Sequence, residues 1–549
     1  MRVMKIRHLL SLAVLLSAIF SAGPATSADQ ENRRAILIPG LGEVHHGVST
    51  KSREAQQFFD QGLKLVYGFN HDEARRSFLR AAELDPKLAM AWWGIALTLG
   101  PNYNLPVDSE REKAGYEAAQ RAVALEEFGS EPERAYIHAV AVRYSNDPSV
   151  DLHQLDRTYK EAMGSLTARY PDDLDAATLY AESAMNLRPW QLWTADGKPA
   201  EGTEEIISVL ESVLRRDLNH LGANHYYIHA VEASPHPERG LASADRLQKL
   251  APAAGHLVHM PAHIYARVGD HIAAANSNMR AAAADRQFLQ STHEQGVYPL
   301  MYYSHNLHFL AYSSCMDGSF AEASDAASKL VANVAPHVKE MPMLEGFLPT
   351  PLLVSLAFGR WDDILKAPAP DASFKLTNAV WHFVRGMALA HNGKTEEAEA
   401  EQAAFREISA KIPADAPYDD LNKAVNVFKI HENLLAGAIA RSRHETEPAI
   451  NALYLAVAAE DALNYSEPPT WYPPLRPTLG QILLAENRPA DAEKISREDL
   501  ERNPRDARAL ALLRDSLQAQ DRAYDAAQVN EQFRSAWKAS VPKTPLARP

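Results

Sequence analysis

The sequence predicts an all-α fold, a right-handed superhelix of antiparallel helical hairpins, and three observations predict it. Small residues recur at steps of 12 with a proline at 24, as in Gly62, Ala74 and Pro86 and again in Gly480, Ala492 and Pro504. The prolines fall where a second helix has to stop. No stretch of any length alternates apolar and polar residues as a half-buried strand does. Glycine or alanine at such positions lets two helices approach closely, and repetition at this period marks a helical-repeat array.

In chain order, residues 1–28 read as a secretory signal peptide: Arg2, Lys5 and Arg7 make a cationic start, Leu9 to Phe20 is a short apolar run, and Ala28 ends a small-residue cleavage site. Cleavage there predicts an exported protein, periplasmic or secreted, with no transmembrane segment left after leader removal. Residues 29–53 read as an extended segment. Within 54–190, Gly62, Ala74, Phe78, Ala81 and Pro86 occupy the small, small, large, small and proline positions of a tetratricopeptide (TPR) unit. Residues 203–335 carry the histidine-rich hairpins, 343–540 a third group, and 541–549 a frayed tail. Proline- and glycine-rich breaks at 101–106, 193–202, 336–342, 367–372 and 412–418 predict longer connections.

Charge and cysteine usage narrow the function classes. Losing the leader removes three basic residues and no acid from 56 Lys+Arg and 70 Asp+Glu, leaving a net charge of −17. That balance argues against a nucleic-acid partner. The single cysteine, Cys315, cannot form an internal disulfide, so an exported chain of this size has to be stable through packing alone.

Half of the 22 histidines fall between His220 and His308. They read HYYIHAVE (His225, His229, Glu232), GHLVHMPAHIY (His256, His259, His263) and YYSHNLHF (His305, His308). On a helix, positions 225, 229 and 232 share an arc of about 60°. In a TPR array the first helix of each hairpin lines the concave face, and these segments fall on three successive first helices, whose axes stand about 8–10 Å apart. The expected ligands of one or two transition-metal ions are therefore His225, His229, Glu232, His256, His259, His263, His305 and His308. With no thiolate among them, copper, zinc, iron or manganese would suit. Glu232 is expected either as a ligand or as a general base on metal-bound water, and Tyr227, Tyr265 or Arg267 as groups that orient a small-molecule substrate. Pro261 either starts a helix, leaving His256 and His259 in a loop, or bends one. His45 and His46 could fold over the groove, Glu182 and Arg188 could join the pocket, and Glu467, Trp471 and Arg476 could form one of its walls.

The strings HHGVSTKSREAQQFFDQGLKLVYGFNHDEA, HYYIHAVEASPHPERGL, AGHLVHMPAHIYARVGDH and EPPTWYPPLRPTLG resemble those of a family of exported bacterial TPR proteins to which no activity is attached. The resemblance implies the fold and the location and leaves the chemistry open. The histidine pairs also resemble those of type 3 copper proteins, which place HxxxH pairs on facing helices around two coppers. Those sites lie in an antiparallel four-helix bundle, whereas these helices belong to sequential repeats, and only the ligand type carries over. Two classes of function follow: a metalloprotein, oxidative or hydrolytic if a coordination position is open, or a non-catalytic scaffold gripping a protein or peptide in the concave groove. Signatures of phosphate binding, nucleophilic serine or thiol catalysis, dinucleotide binding and HExxH proteases do not occur.

Overall fold

The computed structural model of the chain describes residues 34–147 and 149–538. The expected leader and the whole of the expected tail, 541–549, lie outside the described residues. Among those residues the chain forms 25 α-helices and no strand, only three isolated bridges across loops. No described helix is long and apolar enough to cross a membrane.

Local chemistry places the helix ends. Ser52 and Asn70 accept from the amides of Ala55 and Glu73, capping Arg53–Tyr67 and His71–Leu84. Ser130 and Glu133 form a reciprocal capping box on Glu131–Ala141. Consecutive helices pack side by side as hairpins, such as Lys375–His391 on Thr395–Ser409 and Ala424–Ser442 on Thr446–Asp461. The small positions of the repeat are where neighbours press in. A Cβ on Gly62 would stand 2.6 Å from the Phe78 ring, and one on Gly480 would stand 2.2 Å from Leu512. The predicted breaks coincide with the irregular segments between helices at 100–108, 186–202, 335–349, 367–374 and 410–423.

The array closes on itself. Helices Pro489–Arg502, Ala507–Gln518 and Ala523–Ala536 return to the middle of the chain: the Lys538 amide donates to the Asp317 carbonyl (2.9 Å) and Arg508 Nη2 to the Cys315 carbonyl (3.0 Å). The Trp537 ring fills the space beside Gly318, and the Pro504 carbonyl lies where Gly269 would carry a Cβ. The histidine-rich helices are buried inside the molecule, and the cavity beside them is bounded in part by residues from 343–353, 418–421 and 466–472. Residues 35–50 run along the hairpins instead of across the groove. His46 pairs with Asp175 (2.8 Å) and His45 with Asp60 (2.9 Å), so neither reaches the triads.

Candidate metal centre

Four helical segments carry the site: Leu221–Glu232, Gly255–His259, Pro261–Arg267 and Tyr303–Asp317. Pro261 takes the first position of its own short helix while Met260 stays right-handed helical (φ −49°, ψ −36°). The chain therefore bends without unwinding, and His256 and His259 lie on a helix, not in a loop. A π-helical turn at Tyr298–Tyr302 precedes the helix of His305. Asp285 ties the segments together. Its carboxyl accepts from Tyr298 Oη (2.9 Å) and Asn306 Nδ2 (2.6 Å), and it fills the space left by the missing side chain of Gly255.

Six histidines form two adjacent triads, His225/His229/His256 and His259/His263/His305, and in each the candidate ligand nitrogens lie within 4.8 Å of one another. His225 and His259 are fully buried; His229, His256, His263 and Glu232 are nearly so; His305 is half-buried. Four of the six outer nitrogens are held by acceptors, which settles the tautomers of those rings, whereas His256 Nδ1 is buried with no hydrogen-bond partner. His225 Nδ1–H donates to the Tyr67 carbonyl (2.6 Å), His229 Nδ1–H to Glu232 Oε1 (2.7 Å) and His259 Nδ1–H to Asn278 Oδ1 (2.6 Å). His263 Nδ1–H donates to Glu232 Oε2.

The inner nitrogens face one another. His225 and His256 Nε2 are 3.2 Å apart; His259 Nε2 is 2.7 Å from His263 Nε2 and 3.0 Å from His305 Nε2. His229 Nε2 is buried with no hydrogen-bond partner. Three nitrogens bound to one tetrahedral ion at about 2.0–2.1 Å would stand about 3.3 Å apart, close to these separations. An aromatic sheath surrounds them, with Phe69 stacked on His256 (5.5 Å) and His229 (5.8 Å) and Phe309 5.2 Å from both His259 and His263.

Burial, reinforced by neighbouring imidazoles, holds His225, His256, His259 and His305 well below the usual histidine range, so they are neutral donors at neutral pH. His263 moves the other way: burial lowers it, but the Glu232 charge outweighs that. Burial also raises the Glu232 carboxyl, yet His263 and His229 bring it down to about 2. A carboxylate so placed orients imidazoles; both of its oxygens face outer nitrogens, not the space between the triads, so it stands as neither ligand nor base.

Other sequence expectations shift as well. Tyr227 Oη donates to Glu211 (2.7 Å) and Tyr265 Oη to Asp245 (2.5 Å), both away from the triads. Arg267 donates to the carbonyls of Glu232 (2.9 Å) and Ser234 (3.4 Å), fastening a helix end. Glu182 accepts from Asn186 (2.5 Å) and Arg188 pairs with Glu201, both apart from the cavity. His308 joins neither triad and faces Phe347 and Tyr472 in the cavity wall.

A cavity of about 190 Å³ opens onto His256, His263, His305 and His308. Trp190, Tyr302, Phe347 and Tyr472 line it, as does Glu467 from the wall segment expected in sequence; Trp471 and Arg476 do not. Burial pushes the Glu467 carboxyl up to about 7, and its Oε2 has no hydrogen-bond partner. Sequence reasoning missed the roles of Tyr67, Phe69, Asn278 and Asp285, which lie in other repeats or on other helices, and of Phe309, which shares the helix of His305 but is of no metal-ligating type.

Neither a protein-family profile nor a curated protein matches the chain. Solved structures do. Yeast Tom70 aligns with 88% of this chain and 97% of its own at 12% identity and a TM-score of 0.32. The APC/C hetero-tetramer Cut9-Hcn1 aligns with 84% and 76% at 13% identity and a TM-score of 0.31. The human IFIT1 dimer with m7Gppp-AAAA aligns with 89% and 91% at 13% identity and a TM-score of 0.31. At such scores no functional residue transfers, and the site is read from its own side chains.

Proposed function

We propose that this exported protein is a metalloprotein holding two transition-metal ions, one per histidine triad, beside an enclosed cavity in which a small molecule reacts. One observation carries the reading. The outer nitrogens of His259 and His263 are committed as donors to Asn278 and Glu232, so their inner lone pairs point at each other across 2.7 Å with His305 Nε2 close by. Facing lone pairs repel in a buried site unless a cation stands between them, and a metal ion there would displace the proton that the Glu232 charge otherwise favours on His263. Six imidazole donors without a carboxylate among them favour copper or zinc over iron and manganese, whose sites draw on oxygen donors. An ion there would supply Lewis acidity or electron transfer at positions open to the cavity. The chain's own part is to fix four of the six imidazoles through Tyr67, Glu232 and Asn278, to exclude bulk water with Phe69 and Phe309, and to offer the Glu467 carboxyl beside the open face.

The second reading, a scaffold for a protein or peptide, rests on the architecture, since helical-hairpin arrays form extended binding surfaces. Titration of chelator-treated protein with copper and zinc separates the two. The metalloprotein reading expects two equivalents bound, with His225→Ala and His305→Ala each losing one while helicity is kept. Wild-type protein that takes up neither ion at micromolar concentration would leave the scaffold.

A further inference from the structure

We propose that the cavity beside the triads selects a small aromatic amine, its ring between the aromatic walls and its cationic nitrogen at Asp419 and Asp420. The inference rests on the metal-centre reading only for what lies at the cavity's inner end.

The lining is one-sided in charge. Among the described residues it includes the carboxyls of Asp419, Asp420 and Glu467 and no lysine or arginine. Asp419 is prearranged: its Oδ1 accepts from the amides of Leu421 (2.9 Å) and Asn422 (2.6 Å), and its Oδ2 from Thr470 Oγ1 (2.5 Å). Asp420 beside it is exposed and marks the mouth, whereas His263 is 1% exposed and marks the inner end. Between them Glu467, 8% exposed, presents an oxygen without a partner. Trp190, Tyr302, Phe347, Tyr418 and Tyr472 supply the cavity's aromatic lining.

Aromatic faces carry negative potential and attract a cationic nitrogen as well as a ring. Apolar walls focus the field of the carboxylates into the cavity. In the metal-free chain an anionic ligand of the same shape would meet three carboxyls and no lysine or arginine among the lining residues, and would lose affinity through repulsion. The volume of about 190 Å³ suits a small molecule and leaves no room for a folded partner.

The test is calorimetry on the full chain, as purified and after chelation, with three probes that share a phenyl ring: 2-phenylethylamine, 2-phenylethanol and 3-phenylpropanoate. After chelation the amine should bind about tenfold tighter than the alcohol, and the carboxylate should give no measurable binding. Asp420→Asn, at an exposed position, and Asp419→Asn should each weaken the amine and leave the alcohol unchanged. Carboxylate binding equal to that of the amine, an unaltered amine preference in both variants, or no binding of any probe at millimolar concentration overturns the proposal. Amine preference in a chain that binds no metal would sink the metal-centre reading alone, and bound metal without the preference would sink this proposal alone.

Discussion

At the scale of single residues, Glu232 joins the two triads, one oxygen to each. In Glu232→Gln one of the two Nδ1–H groups would face an amide NH2 and its ring would have to change tautomer, placing a proton on the inner nitrogen. Metal affinity should fall about 10–100-fold, read by chelator competition, with helicity unchanged; unaltered affinity would contradict this role. The spacing of 225, 229 and 232 showed a shared helix face, but spacing does not say which way a carboxylate turns. Tyr227 and Tyr265 were legible in principle. Each lies two residues from a triad histidine, about 200° around the helix, and so faces away.

A second residue-scale prediction concerns acid. Burial holds His71, His271 and His431 to about 3. The unfolded chain takes up these protons near pH 6.5 and the folded chain refuses them, so the stability they contribute is present above about 6.5 and is lost as pH falls toward 3. His431 stacks on Phe383 (4.3 Å) with neither ring nitrogen hydrogen-bonded. Thermal melts of metal-free His431→Phe should lose less stability between pH 7 and 4.5 than wild type, and an identical pH slope would refute the assignment.

At the scale of elements, the bend at Pro261 and the contact of Gly255 with Asp285 set where His256 and His259 point. A Cβ on Gly255 would stand 1.8 Å from Asp285 Oδ1, which also accepts from Tyr298. Gly255→Ala should cost about 1–3 kcal/mol in denaturant melts and lower metal content, because Gly255–His259 has to shift. Retained stability and full metal content would show that the contact does not position the helix. Pro261 announced a break in the sequence, but whether the chain bent or restarted depended on Met260 remaining helical, which tertiary packing decides. Asn278 and Asp285 sit on the neighbouring His271–Thr292 helix, and nothing local in that stretch distinguishes them from other polar helix residues.

At the scale of the whole molecule, the hairpin array was legible because close helix approach demands small residues at fixed steps, and Gly62 and Gly480 answer to Phe78 and Leu512. Its closure was not, since the contacts of Trp537 with Gly318 and of Pro504 with Gly269 join residues far apart in sequence and leave no periodic trace. Trp537→Ala removes both the ring beside Gly318 and the aromatic face under Arg508 (5.3 Å). It should cost about 3–5 kcal/mol and raise hydrogen exchange across residues 489–537, with exchange near the triads changing less. Uniform exchange across the chain would mean that the C-terminal hairpins do not open as a unit.

The central claim is two ions, each among three imidazoles. Anomalous diffraction at the copper and zinc absorption edges, from crystals of untagged protein, tests it most directly. The account predicts two peaks, one within about 2.0–2.1 Å of Nε2 of His225, His229 and His256 and the other at the same distance from Nε2 of His259, His263 and His305. No peak in either triad would contradict it.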